Sequence, residues 1–325
     1  MMSLLSIIAP VFILVGAGYG MVRTGIFKLS VAEALVAFAT RLAVPCLLFR
    51  AISQLDLGAI YTPNLFLSFY IPAAICFGLG IAGARLLFKR NSPDAVSIGF
   101  ASLFSNCFLL GIPIMERAFG PTSTDPNFAI ISVHMIFCMS LGTIAMEVAR
   151  SGGEGMGRTV LSIIRAMATN PMVVGAMLGF VANLSGLTLP GVLADPVWLL
   201  ADTALPLALF SMGGLMNKWA LRRSVGAASM VTCISLIVHP LLVLILGTFV
   251  FPLPPAFLAS AVVTASMPTG VNAYIFASHY DRATGAAASS VLLATAVSVV
   301  TISIWLFVLK GQGLGSNFSA TPLLQ

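Results

Sequence analysis

The chain has 325 residues, of which 59% are hydrophobic and 8% are charged, and its formal net charge is +6. Soluble domains carry roughly 25% charged residues, and the mean hydropathy of this chain is +1.04. The composition therefore excludes a soluble globular protein and predicts an all-α polytopic membrane protein.

Ten apolar windows follow one another along the chain, each close to the ~20 residues that a helix needs to cross a bilayer. They cover residues 4–22, 31–52, 64–84, 95–115, 128–149, 160–183, 197–217, 224–250, 256–277 and 286–309. The first window lacks the basic start and the cleavage site of a signal peptide, so we interpret it as a span. Residues 311–325 contain Gly, Ser and Asn and are predicted to form a disordered tail.

The basic residues are unevenly distributed between the connections of these ten spans. Twelve of the sixteen fall in or beside connections 1, 3, 5, 7 and 9, namely Arg23, Lys28, Arg85, Lys89, Arg90, Arg150, Arg158, Arg165, Lys218, Arg222, Arg223 and Arg282. Basic connections remain on the cytoplasmic side of a cell membrane. We therefore expect an integral protein of the cell (inner) membrane with both termini on its outer side. The positive charge thus reflects membrane topology rather than nucleic-acid binding.

Two pairs of prolines indicate an internal repeat. Pro10 and Pro171 are 161 residues apart, as are Pro45 and Pro206, and "AVPCLLF" (43–49) aligns with "ALPLALF" (204–210). This register predicts a first five-helix repeat over residues 1–158 and a second over 159–310. Because five is an odd number, the second repeat enters the membrane from the opposite side, as in the inverted repeats of secondary transporters.

Span 9 contains an interruption. Its stretch "TASMPTGVNAYIF" (264–276) places Pro268, Gly270 and Asn272 within five residues of an apolar window. Each of these residue types disfavours a continuous helix, and a freed backbone group in hydrocarbon costs several kcal/mol unless protein or water satisfies it. We therefore expect a functional break in this helix.

The repeat then demands a matching break in span 4. Its sequence "ASLFSNCFLLGIPIMERAFG" (101–120) indeed contains Asn106, Gly111 and Pro113. We expect helices 4 and 9 to be broken and to cross, lining one polar site at mid-membrane. The positive ends of the half-helices would favour an anion there.

Side chains near the two breaks are candidates for binding. Asn106 and Asn272 can each donate and accept hydrogen bonds, and Thr269 and Tyr274 are secondary candidates. The structural alternative is that these polar groups only satisfy backbone groups that the breaks release. No acidic or basic side chain lies between Asn106 and Pro113, or between Met267 and His279.

Arg41 and Asp202 are the charged residues that we expect inside the membrane, as coupling or cavity residues. Each precedes its repeat proline by four residues, so antiparallel spans would hold the two side chains roughly 12 Å apart. A direct salt bridge between them is therefore not expected.

Other kinds of site lack support in the sequence. Five cysteines and three histidines show no metal-ligand spacing, and no arrangement of nucleophile and base indicates an intramembrane enzyme. We expect no catalytic residue, no metal and no cofactor.

Four motifs together resemble the auxin efflux carrier family. They are "LAVPCLLFR" (42–50), "NCFLLGIPI" (106–114), "DTALPLALFSMGG" (202–214) and "MPTGVNAYIFASHY" (267–280). The resemblance covers about residues 1–310 and implies ten spans in two inverted repeats, with helices 4 and 9 crossing at Asn106, Pro113, Pro268 and Asn272. It also implies a scaffold of spans 1, 2, 6 and 7 that includes Arg41 and Asp202, a mobile transport domain, elevator motion and a homodimer.

The resemblance and the breaks together favour a secondary carrier for a small organic anion, a mono- or dicarboxylate such as malonate or malate. The long cytoplasmic loop of plant auxin carriers is absent, which argues against auxin as the substrate. The alternative is a membrane-embedded sensor or binding protein of the same fold without net transport. Coupling is expected at Asp202 or, failing that, the carrier is a uniporter.

Overall fold

A computed structural model describes residues 4–151, 156–219 and 224–314. The first part contains α1 (Leu4–Arg23), α2 (Leu29–Phe38), α3 (Val44–Gln54), α4 (Leu57–Ile60), α5 (Pro63–Leu86), α6 (Ser92–Leu103), α7 (Ile112–Phe119) and α8 (Asp125–Ser151). The second part contains α9 (Met156–Thr169), α10 (Pro171–Ser185), α11 (Gly191–Leu215), α12 (Val225–Cys233), α13 (His239–Ile245), α14 (Pro255–Ala265), α15 (Val271–Tyr280) and α16 (Thr284–Gly311). No β-strand occurs among the described residues, so the predicted all-α membrane protein is confirmed.

Short π-helical turns, which are wider than an α-helix, complete several spans. π-Helical turns at Ala39–Ala43 and Ile234–Val238 join α2 to α3 and α12 to α13, and another at Leu246–Val250 follows α13. Within the described residues, seven spans are continuous, long and apolar enough to cross a membrane, and the number becomes eight if α9 and α10 together count as one span. The number of ten spans stays a prediction. Of the predicted tail, residues 315–325 lie outside the described residues.

The sixth window, predicted as one span over 160–183, is bent instead. Helices α9 and α10 meet at an angle of 74°. Asn170 between them is extended, and its side-chain oxygen accepts hydrogen bonds from the N–H groups of Met172 (3.0 Å) and Val173 (3.3 Å). Pro171 has no N–H with which to continue α9. The cap and the proline therefore start a new helix where the apolar pattern alone predicts a straight one.

The helices pack into two groups. In the first group α1, α2 and α3 pack with α10 and α11. The second group contains α5, α6, α8 and α12–α16, and its core includes Phe69, Phe100 and Phe276. The rings of Phe100 on α6 and Phe276 on α15 stack with their centroids 3.9 Å apart. This stack holds the two broken spans together inside one group.

Glycine sets the close approach of α1 and α11 in the first group. A Cβ atom at Gly18 would lie 1.8 Å from the carbonyl oxygen of Phe210, and one at Gly213 would lie 1.9 Å from that of Val15. No such contact exists at Gly16, where the space is open to 4 Å. The two backbones can therefore cross only because these residues lack side chains.

We expect Gly18→Ala to destabilise the protein strongly, whereas Gly16→Ala on the same helix should not. Overpacking a core costs roughly 1–3 kcal/mol, and the obstacle at Gly18 is backbone, which cannot rotate away, so the loss should reach the upper end of that range. Thermal unfolding of the two purified variants in detergent measures the difference. Equal melting temperatures would contradict the close crossing of α1 and α11.

Candidate functional site

The two broken helices meet backbone to backbone. The chain is non-helical at residues 104–106, after α6, and at residues 266–270, after α14. Asn106 N–H donates to the carbonyl oxygen of Pro268 (2.7 Å), and Gly270 N–H donates to that of Phe104 (2.8 Å). These two hydrogen bonds form an isolated antiparallel β-bridge between Ser105 and Thr269. Each break thus satisfies backbone groups that the other releases, which is the condition for non-helical backbone inside a membrane.

Thr269 supports the same crossing. Its hydroxyl is fully buried and donates to the carbonyl oxygen of Ala101 at 3.0 Å, near the end of α6. That carbonyl has lost its partner because the helix stops at Leu103. For Thr269 the structure therefore favours the role of satisfying freed backbone.

The break in span 4 lies earlier than the position of Pro113 suggests. The chain is already π-helical at Cys107–Gly111, and Pro113 lies in the first turn of α7. A proline is tolerated in a first turn because the N–H that it lacks would have little use there. Gly111 lies against Met267, since a Cβ atom there would be 3.4 Å from Met267 Cγ. Gly111 and Pro113 thus support the second half-helix and do not line the cavity described next.

A cavity of about 630 Å³ opens beside the crossing, between the two helix groups. Asn106, Gly270 and Asn272 line it from the second group, and Arg41 lines it from the first. The volume suits a small-molecule ligand. Asn106 is buried, and its Nδ2 lies 3.2 Å from the sulfur of Met212, a weak acceptor. Its amide is therefore available for a stronger partner.

Two helix N-termini also face this cavity. One is the start of the helical stretch formed by Cys107–Gly111 and α7, and the other is the start of α15 at Val271. Cys107, Val271 and residues that follow each of them line the cavity. In α15 the N–H of Ala273 bonds to the carbonyl of Gly270 (3.0 Å), and among the described residues nothing accepts from the N–H of Val271 or Asn272. Free N–H groups at a helix N-terminus attract negative charge. The cavity is therefore suited to an anion.

Arg41 and Asp202 lie in different cavities. Asp202 lines a second cavity of about 660 Å³, together with Glu116 and Asp125. Its Oδ1 accepts a hydrogen bond from Arg50 Nη1 at 2.7 Å. The expectation that Arg41 and Asp202 do not pair agrees with this arrangement. No sequence pattern indicates Arg50 as the partner of Asp202.

An apolar layer separates the two cavities. Along α3, Val44 lines the first cavity, and residues from Leu47 to Gln54 line the second. One buried apolar cluster extends from Phe108 and Ile131, which line the first cavity, to Ile112 and Phe128, which line the second. The two cavities therefore lie at different positions along the same interface between the helix groups.

Some residues differ from their predicted positions, and others were missed. Tyr274 does not line the cavity and instead packs on Trp219, with ring centroids 5.0 Å apart. Ser105 lines the cavity, and its buried hydroxyl has no hydrogen-bond partner in the part of the chain that the structure describes. His134 is buried against the ring of Phe104 and lines the cavity too. Serine is common in these windows, and the three histidines are scattered without the spacing of a metal site, so the sequence pattern singles out neither residue.

Comparison with known proteins identifies the family of this chain. The profile of the family described as "Membrane transport protein" matches residues 3–306. A "Putative malonate transporter" of Rhizobium meliloti (strain 1021) is 26% identical over 98% of this chain and 99% of its own length. An "Uncharacterized transporter" of Methanothermobacter thermautotrophicus is 26% identical over 93% of this chain and 97% of its own. A "Probable auxin efflux carrier component 5b" of Oryza sativa is 22% identical over 93% and 95%. The chain therefore belongs to the membrane transport protein family that includes the auxin efflux carriers.

Proposed function

We propose that this chain is a secondary carrier for a small organic anion, a mono- or dicarboxylate such as malonate or malate. The observation that carries the proposal is the first cavity, where Asn106, Asn272 and two helix N-termini converge at the crossing. Donors and positive helix ends without a neighbouring carboxylate favour an anionic ligand. The name of the Rhizobium relative supports malonate as the first compound to test.

The carrier is built from ten spans in two inverted five-helix repeats, residues 1–158 and 159–310. Support comes from the two broken helices, which occupy the fourth and ninth windows and pair with each other. In transporters with inverted repeats, such interrupted helices lie at the repeat interface near mid-membrane.

Transport proceeds by an elevator mechanism in which the second helix group moves against the first. The first group is then the scaffold, through which a homodimer would form. Two observations support this motion: both breaks belong to the second group, and two cavities lie at different positions along the interface. A displacement along the interface would carry the crossing from one cavity past the apolar layer towards the other.

The direct test is in two steps. A thermal-shift screen of carboxylates on the purified protein identifies ligands, because a ligand that binds only the native state raises its stability. Uptake of the labelled ligand into proteoliposomes then separates a carrier from a sensor of the same fold. Binding without uptake above protein-free liposomes would exclude the carrier.

The topology should place the connection around Arg158 in the cytoplasm and both termini outside, since the basic residues concentrate in the odd connections. Fusions of a reporter that is active only in the cytoplasm, placed after Arg158 and after Lys310, measure this. We expect activity from the first and none from the second. An external Arg158 would overturn the proposed orientation.

Coupling to an ion is expected to depend on Asp202, because no Asp or Glu is found among the described residues that line the first cavity. Uptake under imposed pH, sodium and voltage gradients should lose any ion dependence in Asp202→Asn. Asp281→Asn, which alters an exposed acid between α15 and α16, is the control. Sodium-dependent uptake that survives Asp202→Asn would rule this role out; a wild-type response to voltage alone would indicate a uniporter.

A further inference from the structure

Arg41 stands apart from the other residues of the first cavity. Among the described residues that line the cavity, Arg41 alone carries a formal charge at neutral pH. It lies in the π-helical turn Ala39–Ala43, inside the span Leu29–Gln54. No hydrogen-bond or ion-pair partner of its guanidinium occurs in the described parts of the chain. An unpaired arginine within a membrane span commonly marks a ligand pathway.

Arg41 and the crossing are the two positive poles of this cavity, since the helix N-termini at the crossing carry partial positive charge. The crossing offers the amides of Asn106 and Asn272, and beside them lies the buried hydroxyl of Ser105, which has no partner among the described residues. A buried hydroxyl without a partner is destabilising unless a ligand or water satisfies it. Arg41 belongs to the first helix group, whereas these three residues belong to the breaks in the second group. The cavity thus has two poles on opposite walls.

The charges of the two poles can be added up. A helix N-terminus is equivalent to roughly +0.5 elementary charge, so the two half-helices that begin at Cys107 and Val271 contribute about +1 at the crossing. Arg41 contributes a full positive charge on the opposite wall. The sum, about +2, matches a dianion better than a monoanion. A guanidinium also binds a carboxylate through two parallel hydrogen bonds, which fixes its orientation.

We propose that the cavity selects dicarboxylates, with one carboxylate at the crossing and the other on Arg41. This inference rests on the proposed function and narrows it from carboxylates in general to dianions. A monocarboxylate would occupy the crossing alone and leave Arg41 unused. Arg41 is then the residue that determines specificity, and Asn106, Asn272 and Ser105 hold the carboxylate that every ligand shares.

The test compares malonate with its monomethyl ester, which has the same skeleton and one carboxylate fewer. Their dissociation constants are measured by calorimetry on the wild-type protein, on Arg41→Gln and on Arg165→Gln. Arg165 is an exposed arginine on α9 that does not line the cavity, so its loss controls for net charge.

We expect wild type and Arg165→Gln to prefer malonate by about tenfold to 100-fold, as a charge-assisted hydrogen bond implies. In Arg41→Gln that preference should fall to about one, through weaker binding of malonate with the ester affected less than about twofold. Arg41→Leu, whose side chain suits hydrocarbon, provides the same measurement if Arg41→Gln does not fold.

Equal weakening of both ligands in Arg41→Gln, or an unchanged preference for malonate, would overturn the role of Arg41. So would a wild-type protein that binds the two ligands equally. In these cases the proposed carrier still stands, because the ligands bind. Binding of neither malonate nor the ester nor any other carboxylate by the wild type would instead refute the proposed function itself, and this inference with it.

Discussion

Replacing Pro268 and Gly270 together by alanine should leave a folded, membrane-inserted protein that transports at a tenth or less of the wild-type rate. Within a helix, alanine is more favourable than proline by roughly 3 kcal/mol and more favourable than glycine by roughly 1 kcal/mol. The opposing term is the pair of backbone hydrogen bonds at the crossing, Asn106 to Pro268 and Gly270 to Phe104, each worth about 0.5–1.5 kcal/mol. The balance favours a continuous helix that closes the gap.

Crowding acts in the same direction. A Cβ atom at residue 270 would lie 3.1 Å from Cδ1 of Phe104, whose ring lines the cavity. Proteoliposome uptake at matched protein content is the measurement. Pro72→Ala with Gly78→Ala is the control, because it removes the same residue types from the unbroken helix α5, where Gly78 has open space around it. Wild-type uptake by the Pro268/Gly270 variant would mean that the break is an incidental kink.

Asn106→Ala and Asn272→Ala should each weaken anion binding by about 1–3 kcal/mol, roughly fivefold to 150-fold, as expected for a lost hydrogen bond to a charged group. Both amides line the cavity, and the contact of Asn106 with the sulfur of Met212 is weak. Small carboxylates should compete with one another, whereas cations and neutral sugars should not. Calorimetry with malonate measures the effect.

The same variants separate substrate binding from a purely structural role of the two asparagines. Asn64→Ala is the matched control, since this exposed amide donates to the carbonyl of Pro252, far from the crossing. If Asn106→Ala and Asn272→Ala lower the melting temperature without ligand but leave the affinity for malonate unchanged, the asparagines serve the backbone. Weaker binding at an unchanged melting temperature is the result that we expect.

Thr269 shows why the two roles cannot be separated from residue type alone. Its hydroxyl lies within the predicted break, yet it bonds to the carbonyl of Ala101 and does not line the cavity. Asn272, three residues later, does line it. Both are polar residues in one motif, and only the direction in which the backbone turns after Pro268 determines which of them faces a ligand.

The sequence by itself determined the membrane class, the helical fold and the presence of two breaks. Each of these follows from local chemistry: an apolar composition requires a bilayer, a bilayer requires internally bonded backbone, and Pro268, Gly270 and Asn272 oppose a helix wherever they stand. The tertiary structure decided how those local features are used. Asn106 bonds across the crossing to Pro268, which is 162 residues away in the chain, and Asp202 binds Arg50 and not Arg41. Which side chain faces the cavity depends on how the two helix groups pack, and that packing sums many weak contacts that no single stretch of sequence contains.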